Sequence, residues 1–448
     1  MSVDNKSQVR TPEELDPLSG NGVFAKAKSF KIFYDHTRTL FWAPNSHEGW
    51  IIIKISDVRR WLEERGCGSK PKKGEKVSEI DTLLNVIQRE FDVEYAGSLA
   101  GYRHGVYQVN GKRILVKDSP TLIEPRAGSW PLLRGIITNM LGAEQEIYLF
   151  GWIKVGFEAL VAGKRRVGQA LTLVGPADCG KSLLQSVLTD IFGGRSAKPH
   201  AYMSGDTPFN GDLFCAEHLM IEDEKSSTDI RARRNFGTKI KEVTANTTNS
   251  CHPKHRQSIP LDPFWRLSIS VNDEPENLLI LPPIDDSLKD KIILLKSLKH
   301  PMPMPSVSDE ERQAFMGALR AELPAFLHYL TNDLRIPPQL VSQRYGITHY
   351  HHPDILETLG TLAPETRLLE MLDTELFGSP AAGSWDGTAA ELEHTLTKES
   401  SAVNREARQL LSFPTACGTY LGRLQNRFPD RFKAEHTRTG NRWTIDPP

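Results

Sequence analysis

The chain has 448 residues, 39% hydrophobic and 25% charged, with 55 Lys plus Arg against 56 Asp plus Glu. That length predicts about two to four domains, and the even charge balance excludes a chain-wide coat for nucleic acid, confining any basic surface to local patches. Five well-separated cysteines without a CxxC pair exclude a zinc ribbon or a disulfide scaffold; with a polar opening "MSVDNKSQVRTPEELD" and no apolar run of ~20 residues, the expectation is a cytoplasmic protein with no membrane partner.

Residues 1–20 read as a disordered tail. "FKIFYDHTRTLFWAPNSHEGWIIIKI" alternates aromatic and β-branched runs with turn residues and predicts a β meander. "SDVRRWLEERG" predicts a helix capped by Ser56 or Asp57 and stopped at Gly66. After the basic linker "SKPKKGEK", "SEIDTLLNVIQREF" is an amphipathic helix, and Asn110-Gly111 between two strand-like runs predicts a hairpin. A helical segment then runs from about Pro131 to Leu160 and ends at the basic loop "VAGKRRVG".

From about Gly168 to Lys296 the apolar runs "ALTLV", "HLMIE", "RLSISVN" and "KIILLK" alternate with helices and loops, as in a sheet covered on both faces. "EERQAFMGALRAELPAFLHYL" resumes a helix with Phe315, Leu319, Leu323, Phe326 and Leu330 on one face, and Pro324 is expected to kink or divide it. Near the C-terminus a helix "TAAELEHTLTK", a second helix between Pro414 and Pro429, and a strand-turn-strand over "FKAEHTRTGNRWTID" match a winged helix-turn-helix. Its Arg423, Arg427 and Arg438 are candidates for DNA phosphates.

Gly175-Pro176-Ala177-Asp178-Cys179-Gly180-Lys181-Ser182 fits the full G-x-x-x-x-G-K-[ST] phosphate loop between a strand and a helix. The glycines let backbone N–H groups close on nucleotide phosphates. The helix N-terminus adds partial positive charge, Lys181 reaches the β and γ phosphates, and the Ser182 hydroxyl ligates Mg2+. "HLMIEDE" delivers Glu222 and Asp223 at a strand end. One can hold Mg2+ through water and the other can orient the attacking water; the sequence leaves open which does which. Asn272 ends the next apolar strand, where an amide can face the γ-phosphate. Between these strands lies a segment with Arg231, Arg233, Arg234, Lys239, Lys241, Lys254 and Arg256. Its tail can form a hairpin with "HPKHR" at the tip, where Lys254, His255 and Arg256 can grip a phosphate backbone. A solvated basic loop is the ordinary alternative. The run "THYHHPD" reads as a surface linker rather than a metal site, because no Cys or spaced carboxylate joins its histidines.

This order of phosphate loop, paired acids, basic hairpin with Lys-His and strand-end Asn resembles the superfamily 3 helicases. These are the AAA+ group of papillomavirus and polyomavirus replicative helicases and of phage, plasmid and satellite primase-helicases. The resemblance covers about residues 95–448. It implies an α/β fold with an AAA+ phosphate-loop ATPase core at 136–335. A small α+β module at 1–75, an α+β hairpin region at 76–135, linker helices at 336–380 and a winged helix at 381–448 complete the expected organisation. It also implies ATP and Mg2+ as cofactors, with Ser182 and Asp223 on the metal side, Lys181, Glu222 and Asn272 in catalysis, and Lys254 and His255 tracking single-stranded DNA. The expected assembly is a hexamer acting on single-stranded and forked DNA during replication of a mobile element, with a primase or other replication partner. Relatives use a neighbour's arginine after the Asn strand. Here Lys289 and Lys291 stand in that stretch, so Lys291, or an arginine elsewhere such as Arg266, is the candidate finger. Residues 1–130 show no Asp-x-Asp pair with a following His for a polymerising domain. Alternatives are a nucleotide-dependent DNA-binding initiator or helicase-loader switch, favoured by the missing arginine, and a metabolic phosphate-loop kinase, disfavoured by the winged helix.

Overall fold

The computed structural model describes residues 22–45, 49–222, 230–254, 256–379, 382–437 and 440–448. The tail expected at residues 1–20, and the site candidates Asp223, His255 and Arg438, lie outside the described residues. The chain forms two compact units. One comprises residues 1–224, 238–271 and 288–350, and the other residues 225–237, 272–287 and 351–448.

The first unit begins with helix α1 (Gly22–Ser29) and the expected antiparallel meander of β1 (Phe33–Asp35), β2 (Leu40–Pro44) and β3 (Trp50–Ile53). Helix α2 (Ile55–Glu64) is capped at Lys54, not at Ser56 or Asp57. Asp57 occupies the third helical position, and its carboxylate accepts from the Lys54 N–H at 3.4 Å. Helix α3 (Glu79–Glu90), capped by the Ser78 hydroxyl, leads into β4 (Asp92–Val93), which pairs in parallel with β1. A second small sheet contains β5 (Tyr95–Gly97), β6 (Gly105–Val109) and β7 (Lys112–Val116) in the order β5-β7-β6. Asn110 and Gly111 both have positive φ, as the two-residue hairpin turn requires.

The helical segment before the phosphate loop is two helices, α4 (Pro131–Leu141) and α5 (Ala143–Val161), separated at Gly142 with φ 72°. The start of α4 lacks a side-chain cap of its own. The Glu322 carboxylate supplies one, accepting from the N–H groups of Leu132 (3.1 Å) and Leu133 (2.8 Å). The central sheet follows: β8 (Ala170–Val174), helix α6 (Lys181–Ile191), β9 (Ser196–Ala197), helix α7 (His200–Ser204), β10 (His218–Ile221), helix α8 (Ile230–Ala245), the hairpin β11 (Asn249–Cys251) and β12 (Ile259–Leu261), then β13 (Arg266–Val271). After helix α9 (Pro275–Leu278) in the second unit, β14 (Ile292–Lys296) completes a five-stranded sheet in the order β14-β8-β13-β10-β9. All four pairings are parallel. Every residue of β8 and β13 is buried, which is why these strands read as unbroken apolar runs.

Helix α10 (Asp309–His328) opens with a Ser308–Glu311 capping box and runs unbroken through Pro324. Leu323, Ala325, Phe326 and Leu327 are all buried around that proline, so tertiary packing overrides the missing hydrogen bond. The Pro324 carbonyl accepts from the Arg126 N–H at 3.0 Å. The predicted face Phe315, Leu319, Leu323, Phe326 and Leu330 lies in one core with Trp130, Phe150, Trp152 and Phe192.

The second unit adds α11 (Pro353–Thr361), α12 (Pro364–Glu375), β15 (Trp385–Thr388), α13 (Ala389–Thr397), α14 (Asn404–Leu410), α15 (Ala416–Arg427), β16 (Phe432–Thr437) and β17 (Gly440–Ile445). The strands form an antiparallel sheet in the order β15-β17-β16. Leu372, Leu396, Tyr420, Leu424, Phe432 and Trp443 pack together beneath it. Both helices and the hairpin expected here are present; β15 and α14 are additions.

Candidate functional site

The phosphate loop leaves β8 at Gly175 and enters α6 at Lys181. A Cβ on Gly175 would lie 2.2 Å from the Ser297 carbonyl oxygen, so only glycine lets the loop pass the end of β14. Gly180 caps the helix with φ 94°, and Asp178 also takes a left-handed φ of 59°. The Lys181 side chain is 5% exposed. Its ammonium donates to the carbonyls of Gly175 and Pro176, both at 2.8 Å, and lies 3.7 Å from the Cys179 sulfur. The lysine therefore curls into its own loop, where an incoming phosphate would compete with the carbonyls for the ammonium.

The register sets the strand ends. Val174 of β8 pairs with Val271 of β13, and Ile221 of β10 pairs with Ile269 of β13. Gly175 and Glu222 thus emerge on the same edge, two strand spacings or about 10 Å apart. The strand between them leads directly to Asn272. Chain order reverses at β8, so this edge is the crevice where open α/β sheets take their ligands. The Glu222 carboxylate lies 3.2 Å from the Lys198 ammonium.

A buried polar network runs from this edge back to the start of β10, and the sequence reading missed it. Gln185, one turn after Lys181 on α6, donates to the Ile221 carbonyl (3.1 Å) and to Ser268 Oγ (2.8 Å). His218 sits between Thr189 Oγ1 (2.7 Å from Nδ1) and Ser268 Oγ (2.8 Å from Nε2). Burial holds the His218 pKa down to about 3, so the ring is neutral. The available signal was Gln185 at i+4 from Lys181, a polar residue on the apolar face of its helix.

The basic segment is not a loop. It is helix α8 followed by the β11–β12 hairpin, whose tip carries Lys254 and Arg256. Asn210 braces the hairpin. Its Nδ2 donates to the Ser250 carbonyl (3.0 Å), and its Oδ1 accepts from the His252 N–H (2.6 Å). Lys254 is exposed and Arg256 half-buried. Two cations of the run are structural: Arg233 is buried on the Leu281 carbonyl, and Lys239 pairs with Glu242 at 2.7 Å.

Arg266 is no finger. It is 1% exposed, donates to the Arg166 and Trp265 carbonyls (both 2.8 Å), and lies 4.6 Å from the Phe264 ring; burial lowers its pKa to about 9. Lys291 is 14% exposed and paired with Asp290 at 2.7 Å. It precedes β14, at the edge of the sheet opposite the phosphate loop. In the second unit, Arg423 pairs with Glu365 (3.1 Å) and Arg427 donates to Thr366 Oγ1 (3.2 Å), so both help seat α15 on α12.

No family model matches the chain, and no curated protein matches it significantly. Solved structures do. An apo structure of the NrS-1 C-terminal region aligns with TM-score 0.51 at 13% identity, over 95% of this chain and 99% of that one. A second form of that region gives 0.50 at 14% identity, with the same coverage. The likeness at these identities is one of fold. The SCCmec type IV Cch protein, described as an active helicase, aligns with TM-score 0.31 at 12% identity over 88% of this chain and 69% of that one, too distant to carry weight. Among the described residues no helix is long and apolar enough to cross a membrane.

Proposed function

We propose that the chain is an ATP-dependent DNA helicase with a superfamily 3 AAA+ core and a C-terminal winged helix, working as a ring on single-stranded and forked DNA during replication of a mobile genetic element. One observation carries it: the phosphate loop, the acid-bearing strand and the strand leading to Asn272 end on one edge of a parallel sheet, and a braced hairpin with exposed Lys254 is inserted between the last two strands. Gly175 to Ser182 would hold the ATP phosphates, with Lys181 on the β and γ groups and Ser182 and Asp223 on Mg2+. Glu222 would orient the attacking water, and Asn272 would sense the γ-phosphate. The tight fit of Gly175 against Ser297 and the exchangeable carbonyl acceptors around Lys181 suit such a cradle. Lys254, His255 and Arg256 would track the strand. A homo-hexamer, with a primase or other replication protein as partner, completes the reading.

One observation favours a second reading, a nucleotide-dependent DNA-binding initiator or loader. Neither Arg266, which is buried, nor Lys291, which is paired with Asp290, is free to serve a neighbour's site, and weak hydrolysis suits a switch. Turnover decides. ATP hydrolysis by the full chain, measured with and without single-stranded DNA, is expected to be stimulated by DNA and abolished in Lys181→Ala with the circular dichroism spectrum unchanged. Retained turnover in that variant would remove the phosphate loop from the chemistry.

A further inference from the structure

The basic loop "VAGKRRVG" has no role in the site above, and the structure gives it one. On the first unit, the end of α5 and the residues after it face the loop from Gly101 to His104 across a cavity of about 450 Å³, within the range of small-ligand sites. The opening loop is fixed to the core. The Gly101 N–H donates to the fully buried Glu217 carboxylate (2.8 Å), Ala100 exchanges backbone hydrogen bonds with Phe214 and Phe264, and Gly101 has φ 80° with room for no Cβ beside Phe264. Tyr102 is thereby driven into the wall. Arg165 stacks on it with its guanidinium carbon 3.9 Å from the ring centroid, and Tyr107 meets it edge-on at 5.1 Å. Tyr107 is itself held by donating to the Arg103 carbonyl at 3.0 Å.

Two polar atoms at this wall, the Tyr102 hydroxyl and Arg165 Nε, are buried without a hydrogen bond of normal geometry. Both atoms are closed off from the cavity within the Tyr102–Arg165 contact, which stiffens the wall and leaves ligand contacts to the other lining groups. The lining has two guanidinium groups, Arg103 and Arg165, two tyrosines, His104 and Ser119, and none of its described residues is acidic. The acid whose charge bears on Tyr102 is Asp262, outside the lining, which accepts from Thr248 Oγ1 at 2.7 Å. Two guanidinium groups with no acid in the lining favour an anion, and aromatic and guanidinium planes favour a flat π-system. Gly163 and Arg165 precede β8, whereas the phosphate loop follows its far end, so this cavity is distinct from the nucleotide cradle.

We infer that this cavity is a second nucleotide-binding site, taking one base against Tyr107 and the Arg165 guanidinium, with Tyr102 as the buried backing, and its phosphate on Arg103 and Arg165. That chemistry is shared by a nucleotide within a single strand and by a free nucleotide. The inference does not need the helicase reading, because it is tested by binding alone. The test uses the full chain, the double variant Arg103→Ala/Tyr107→Ala, which changes an exposed and a half-buried residue, and Arg165→Gln, which keeps the stem packed. Each carries Lys181→Ala so that the phosphate loop is silent. Binding of fluorescein-labelled (dT)20 is read by anisotropy across salt, and of dTMP by equilibrium dialysis. Circular dichroism verifies folding. A strand ligand predicts (dT)20 affinity reduced roughly tenfold or more, with a salt dependence shallower by about one unit for each phosphate no longer held. A free-nucleotide ligand predicts dTMP binding that both variants abolish while (dT)20 binding is unchanged. If the folded variants bind both probes as the parent does, or if the parent binds neither, the inference is wrong. Lys254→Ala in parallel separates the outcomes, since failure of the hairpin assignment leaves the cavity variants' effect in place.

Discussion

Lys181, beside the phosphate-loop edge, and His218, at the start of β10, show how single buried side chains are held. Lys181 is an ammonium kept in a 5% exposed position by two carbonyls of its own loop, a charge stored where a phosphate would need it. His218 does the opposite: a titratable ring kept neutral so that Thr189 and Ser268 can use both its nitrogens. The pH consequence has a definite sign. The folded pKa of about 3 lies below the ordinary value of about 6.5, so the unfolded chain takes up a proton that the folded chain refuses. The stability tied to the neutral ring is full above pH 6.5 and is lost as pH falls toward 3. Against His218→Gln, which cannot titrate, the wild-type chain is expected to lose about 2 kcal/mol of its relative stability between pH 7 and pH 5. Urea unfolding at both values measures this, and a difference independent of pH would show that the buried ring is not the titrating group.

At the scale of elements, the β11–β12 hairpin turns a basic sequence run into a directed tip. Asn210 fixes its base through two side-chain bonds, and Lys254 projects from the turn. Lys254→Ala combined with His255→Ala is expected to spare basal ATP hydrolysis and remove its stimulation by single-stranded DNA. Full stimulation in the double variant would assign the hairpin elsewhere. Four of the five sheet strands, all but the two-residue β9, the phosphate loop, the Asn110-Gly111 turn and the C-terminal helices were legible because periodicity and turn chemistry are local. What was not legible depends on distant partners. Pro324 stays helical because Leu323, Phe326 and Leu327 are buried around it. Glu322 caps a helix that starts nearly two hundred residues earlier in the chain. Arg266 and Lys291 look alike in sequence as candidate fingers, and only packing shows one buried against carbonyls and the other tied to Asp290. Arg423 and Arg427, read as candidates for DNA phosphates, also hydrogen-bond to α12, which the sequence does not show.

At the scale of the whole molecule, the near-equal charge of 55 basic and 56 acidic residues means that any contact with DNA would rest on a few placed cations rather than on overall attraction. Lys181 at the phosphate-loop edge, Lys254 on the hairpin, and Arg103 and Arg165 at the cavity are such cations in the first unit. An ATP-driven ring would need a neighbour's cation to complete hydrolysis, and the structural commitments of Arg266 and Lys291 make the assembled state the place to look for it. The decisive measurement is strand displacement on a forked DNA with ATP and with a non-hydrolysable analogue, with mass photometry on the same sample. Unwinding that requires hydrolysis, by a hexamer, is the predicted result. Tight nucleotide-dependent DNA binding without unwinding would contradict the helicase and establish the initiator or loader in its place.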